Sequence, residues 1–159
     1  MTLTRRTLLS LSASLGLSFA ACTAHAQDVI RVATDSTFPP FEYMENGKRV
    51  GFDVELIEAI GKALGKKIEW TDIDFKGLVP GLVSKRFDVA ASAIYITDER
   101  RKVVDFTEPY YPGGLVIMTK KGDQSIKGPD DLKGKKVSVQ VGTKSVGFLK
   151  DNFPAIERV

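Results

Sequence analysis

The chain has 159 residues, 27% charged and 43% hydrophobic, a balance that fits a folded globular protein and excludes collagen-like, low-complexity and membrane-embedded classes. Its formal charge is +3, and removing residues 1–26 takes away Arg5 and Arg6 but no acid, leaving 21 basic against 20 acidic side chains. So near neutrality, nothing electrostatic argues for nucleic-acid binding.

The same removal takes Cys22 and His25, the only cysteine and the only histidine. Thiolate nucleophiles, Ser-His-Asp triads, disulfides and zinc sites with Cys or His ligands then lack their residues. No cofactor and no metal is expected. Carboxylate, lysine and tyrosine chemistry stays open, as does plain binding.

Residues 1–26 run from Arg5-Arg6 through an apolar stretch, Leu8 to Ala21, to a small-x-small end at Ala24-His25-Ala26. This is the pattern of a secretory signal peptide cleaved after Ala26, and it implies a periplasmic product. The stretch is shorter than the ~20 residues of a membrane-spanning helix. Thr4-Arg5-Arg6-Thr7 also resembles a twin-arginine export signal, and lipidation at Cys22 is a further route, with Phe19 where the usual lipobox has leucine.

Beyond the leader, Val29 to Ala33 reads as a first strand ending at the turn residues Thr34-Asp35. From Phe52 to Leu64, apolar Val54, Leu56, Ile57, Ile60, Ala63 and Leu64 recur at helical spacing, and Gly65 supplies a stop. Lys67 to Ile73 is a second strand. Phe75 to Phe87 predicts a second helix with Leu78, Leu82 and Val83 inward, and Phe87 to Ala93 a third strand. Val103 to Phe106, Leu115 to Thr119 and Lys136 to Val141 are further extended runs, and residues 152–159 read as a helix end leading into another strand. Alternating strands and helices predict an α/β fold with a parallel sheet, whose ligands gather at the carboxyl ends of the strands. That rule selects Asp35 and Phe38, then Asp74 and Phe75, then Ser92 to Arg100. Glu42, Asp53 and Glu55 are assigned to the surface and to capping the first helix.

Five phrases carry a family resemblance: residues 32–42 (VATDSTFPPFE), 50–56 (VGFDVEL), 93–100 (AIYITDER), 104–111 (VDFTEPYY) and 132–137 (LKGKKV). In this order and spacing the chain resembles the periplasmic amino-acid-binding proteins of bacterial ABC importers, the class with glutamine, histidine and lysine/arginine/ornithine binders. The resemblance implies a type II periplasmic-binding-protein fold of two α/β lobes that close over an amino acid. It places lobe one at 28–109, a hinge crossover at 110–114 and part of lobe two at 115–159. The rest of lobe two, the return crossover and the final helices are absent, so a fragment or a truncated product is expected.

By this resemblance Arg100 clamps the ligand carboxylate through two parallel hydrogen bonds, the alternative being a solvated helical arginine beside Arg101 and Lys102. Phe38 and Phe75 match the aromatic pair around the ligand side chain, where core packing is the ordinary alternative. Asp35 would lie at the pocket floor, accepting from an amide or ammonium and repelling a carboxylate, or else cap a turn. Ala93, Ile94 and Tyr95 fall where relatives offer a backbone carbonyl, a backbone N–H and a Ser or Thr hydroxyl; Tyr95 departs from that pattern. Gln140 matches a position that touches the ligand side chain. Thr143 belongs to Gly142-Thr143-Lys144-Ser145, which resembles the family's turn at a helix N-terminus. The implied function is capture of a polar or basic L-amino acid by a monomeric, non-catalytic receptor and delivery to a membrane permease. Alternatives are an enzyme like the cyclohexadienyl dehydratases, which resemble these binders, and a sensor domain of a longer protein.

Overall fold

The computed structural model describes residues 29–159. The leader expectation for residues 1–26 lies outside the described residues. Three parallel strands form the main sheet: β1 (Val29–Thr34) runs in its centre, with β5 (Lys67–Asp72) on one side and β6 (Val89–Ala90) on the other. The β1–β5 ladder pairs Val29 with Lys67 through Thr34 with Asp72, and β6 adds only Val89 and Ala90 against Val32 and Ala33. A central first strand whose successors join opposite sides creates a switch point at the carboxyl ends.

Between β1 and β5 the chain makes a meander absent from the expected elements. Strands β2 (Thr37–Phe38), β3 (Glu42–Glu45) and β4 (Lys48–Val50) pair antiparallel. The β3–β4 hairpin turns at Asn46 and Gly47, both with positive φ, between the paired residues Glu45 and Lys48. Asn-Gly is the strongest short hairpin signal and was present in the sequence.

Helix α1 (Phe52–Leu64) has the expected limits and stops at left-handed Gly65. Its face is only partly used, because Val54 is buried while Ile60 and Leu64 are exposed. The second helix is much shorter than expected. A 3₁₀ turn (Phe75–Gly77) leads into α2 (Leu78–Val83), after which the N–H of Lys85, at positive φ, bonds to Leu82 and that of Arg86 to Gly81. This left-handed ending turns Phe87 back onto Gly81, so that Leu78, Phe87 and Ala33 form a buried cluster while Val83 points to solvent. Leu78 is fully buried, so Leu78→Ala is expected to cost about 2–5 kcal/mol of stability in denaturant unfolding.

After β6 comes the short helix α3 (Asp98–Arg101), capped by Thr97. Val103 to Phe106 and Leu115 to Thr119 form no ladder: no neighbouring strand accepts their hydrogen bonds. The final part has its own cluster of Leu132, Leu149 and Ile156. There β7 (Lys136–Val137) pairs parallel with β8 (Glu157–Arg158) across helix α4 (Lys144–Asn152). The expected strand to Val141 is shorter, although the Val139 N–H still reaches the Val159 carbonyl at 3.1 Å.

Candidate functional site

The carboxyl ends of β1 and β5 border a cavity of about 180 Å³ lined by Asp35, Asp74, Phe75, Lys76, Gln140 and Val141. Asp35 is 7% exposed and is held from several sides. Its Oδ2 accepts the Phe75 N–H and the Gln140 Nε2–H, both at 2.9 Å, and its Oδ1 accepts the Thr37 hydroxyl at 2.7 Å. The bond from Thr37 makes Asp35 a turn cap as well as a cavity wall. Gln140, 105 positions away in sequence, thus reaches the end of β1 directly.

Arg100 stands beside this cavity, half-buried, with its guanidinium 5.7 Å from the centre of the Phe75 ring. It donates to two backbone carbonyls, those of Tyr95 and of Gly142, the latter at 2.9 Å. Burial pulls its pKa below the ordinary arginine value, against the opposing pull of Glu99. Burial without a carboxylate hydrogen-bond partner is unfavourable for a guanidinium, and its remaining N–H donors suit an arriving anion.

Gly142, next to the lining residue Val141, packs against Lys76. Its φ is +84°, and a Cβ there would lie 3.0 Å from the Lys76 Cα, so only glycine permits this approach. Thr143 is the residue before α4; its hydroxyl turns back to the Gln140 carbonyl at 2.8 Å. Tyr95 donates from its hydroxyl to the Gly114 carbonyl at 2.8 Å, while Lys144 Nζ sits 5.0 Å from its ring centre. Ala93 has a φ of 45°, and its N–H is taken by Asp53 at 2.8 Å. Ile94 packs on the Leu78 cluster.

The fold therefore gathers Asp35, Phe75, Arg100, Gln140 and the turn at Thr143. Phe38 is not among the residues lining this cavity. It is 52% exposed and stacks on Phe41, whose ring meets Phe52 and Tyr111. A second, more apolar groove of about 490 Å³ opens between α2, β6 and Val103 to Phe106.

Sequence reasoning missed one group. Glu42 and Asp53 are not at the surface but 1% and 0% exposed, joined to Ser92 and Tyr110, although Asp53 does lie in the first turn of α1 as expected. The available signal was position: Glu42 follows Pro39-Pro40-Phe41, and Asp53 lies between Phe52 and Val54. Among the described residues no cluster of His, Cys, Asp or Glu suits a metal ion, and no helix is long and apolar enough to cross a membrane.

Known proteins resemble this chain over most of its length. A probable histidine-binding protein of Campylobacter jejuni is 43% identical over 114 residues, 72% of this chain and 44% of the relative. The arginine-binding extracellular protein ArtP of Bacillus subtilis is 45% identical over 112 residues, 70% of this chain and 44% of its own. The chain spans about half the length of the curated relatives it matches. An ancestral arginine-binding protein, solved bound to arginine and bound to glutamine, is 46% identical in both cases. The TM-scores are 0.81 and 0.80, covering 85% of this chain and 61% and 60% of those chains. The fold class is the α/β type II periplasmic-binding-protein fold expected from the sequence. With the family model matching residues 30–157, the chain belongs to the bacterial extracellular solute-binding proteins, family 3.

Proposed function

We propose that this chain is part of an extracytoplasmic receptor that captures a polar or basic L-amino acid and passes it to an ABC-transporter permease. The observation that carries the reading is Arg100, a half-buried guanidinium over Phe75 whose hydrogen-bond acceptors among the described residues are backbone carbonyls alone, beside a cavity walled by Asp35. Arg100 takes the α-carboxylate, the Ala93 carbonyl takes the α-ammonium, and Phe75 packs on the side-chain stem. Asp35 and Gln140 face the distal polar group. Relatives that bind histidine, arginine and glutamine support this class of ligand.

The boundaries expected from sequence carry over as part of this reading: lobe one at 28–109, the crossover at 110–114 and a portion of lobe two at 115–159. Closure of the two over the ligand then signals occupancy to the permease. The bonds from Gln140 to Asp35 and from Arg100 to Gly142 occupy the same groups, so an incoming amino acid must displace them. Export by the leader, with cleavage after Ala26, and a monomeric state complete the proposal.

Calorimetric titration of the full chain with arginine, glutamine, histidine and glutamate tests it. Binding of at least one of the first three is expected, with no binding of glutamate and no turnover of prephenate. Asp35→Asn is expected to weaken arginine by about tenfold, the worth of one charge-assisted contact of ~1.5 kcal/mol. Preference for glutamate would overturn the role of Asp35.

A further inference from the structure

Glu42 and Asp53 are the most deeply buried carboxyl groups among the described residues, and the hydrogen bonds reaching them come from neutral groups. Ser92 Oγ accepts the Asp35 N–H at 3.1 Å and donates to Glu42 Oε1 at 2.8 Å. Asp53 Oδ2 accepts the Ala93 N–H at 2.8 Å and the Tyr110 hydroxyl at 2.7 Å. The other two oxygens, Glu42 Oε2 and Asp53 Oδ1, are buried with no partner, on carboxyl groups within side-chain hydrogen-bonding reach of each other. Orphaned buried oxygens are rare and costly, and a single proton between these two satisfies both.

We propose that Glu42 and Asp53 share one proton between Glu42 Oε2 and Asp53 Oδ1, and that this bridge is the positioning device for the backbone of Asp35 and Ala93 and for Tyr110 of the crossover. Hydrogen bonds then run without a break from the Asp35 N–H through Ser92, Glu42 and Asp53 to Ala93 and Tyr110. Two strand ends that carry cavity residues are tied to the segment about which lobes would close. Ala93, at positive φ, needs such a tether. The proton rests on Glu42, because Asp53 already accepts two hydrogen bonds and sits in the first turn of α1, where free N–H groups favour negative charge.

The titratable groups facing Glu42 are Asp53 on α1, Asp35 past β1 and Tyr110, with no cation among them. Burial first, and then the Asp53 and Asp35 charges, push Glu42 up to about 8 against the pull of the Ser92 hydrogen bond. The Tyr110 phenol is also raised, by burial and by Asp53, so it stays a donor throughout. The folded chain keeps a proton that the unfolded chain releases at the ordinary glutamate value. Stability from this group is therefore full below that value and declines as pH rises towards about 8. Above it two carboxylates face each other and the bridge is lost.

The bridge itself stands without the amino-acid reading; only its effect on affinity rests on that reading. Carboxyl-¹³C and amide NMR titration of the full chain should show the Glu42 carboxyl titrating near pH 8, with the Ala93 and Asp35 amides shifting at the same midpoint. Titration of Glu42 below pH 5, or amides indifferent to that step, would overturn the proposal without touching the cleft. Arginine affinity is expected to fall at least tenfold between pH 7 and 9.5. In Glu42→Gln, whose amide can donate to Asp53 without titrating, the fall is expected to shrink to the share caused by deprotonation of the ligand's own α-ammonium, whereas Glu42→Ala stays weak at every pH. An unchanged alkaline fall in Glu42→Gln would refute the positioning role. If no amino acid binds at any pH while the NMR midpoint appears near 8, the functional reading fails and the bridge stands.

Discussion

Arg100→Ala is expected to weaken amino-acid binding by at least a hundredfold while leaving the chain folded. Two charge-assisted hydrogen bonds to a carboxylate in a water-poor cleft are worth about 3 kcal/mol or more together, and tenfold in affinity is about 1.4 kcal/mol. Folding depends far less on this side chain, since it donates only to the Tyr95 and Gly142 carbonyls from a half-buried position. Arg100→Lys keeps the charge but not the fork, so an intermediate loss is expected. Calorimetry on the purified variants, with circular dichroism to show that they fold, separates the two effects. Unchanged affinity in Arg100→Ala would reject the clamp.

Gly51→Ala is expected to cost more than about 3 kcal/mol of stability, a large share of the total for a domain of ordinary stability. Gly51 has φ 124° and ψ 173°, a region essentially closed to residues with a Cβ. An added Cβ would also overlap the Phe41 carbonyl oxygen and lie 2.8 Å from that of Pro40. Those carbonyls cannot retreat freely, because they accept the N–H groups of Phe52 and Asp53 at 3.1 and 2.9 Å. Urea unfolding reads the loss; a midpoint like that of the parent would contradict this geometry. Since Asp53 holds Ala93, damage at Gly51 is transmitted to the cavity.

Local features were legible in the sequence. The limits of α1 follow from apolar spacing and from Gly65, and β1 and β5 from short β-branched runs, because each signal lies within one stretch of chain. The strand-end rule then selected Asp35, Phe75 and Arg100, and the structure gathers them. Features decided by pairing were not legible. Whether Val103 to Phe106 forms a strand depends on a neighbour, and β6 shrinks to Val89 and Ala90, the two residues in register with Val32 and Ala33 of β1. The Asn46-Gly47 hairpin was written in the sequence but overlooked beside the helical signal that follows it.

Glu42 and Asp53 show the deeper difficulty. An acidic side chain is exposed far more often than buried, and only partners 40 to 57 positions away reverse that expectation. Phe38 illustrates the converse, since its place at a strand end puts it near the site while its ring stacks on Phe41 at 5.7 Å.

The amino acid is expected to bind at the carboxyl ends of β1, β5 and β6. The most direct measurement is a ¹⁵N–¹H correlation spectrum of the full chain titrated with arginine. Shifts concentrated at Asp35, Phe75, Ala93, Ile94, Arg100 and Thr143, saturating together, are the expected result. Saturable shifts confined to the groove between Leu82 and Phe106, with Asp35 and Arg100 unmoved, would contradict it.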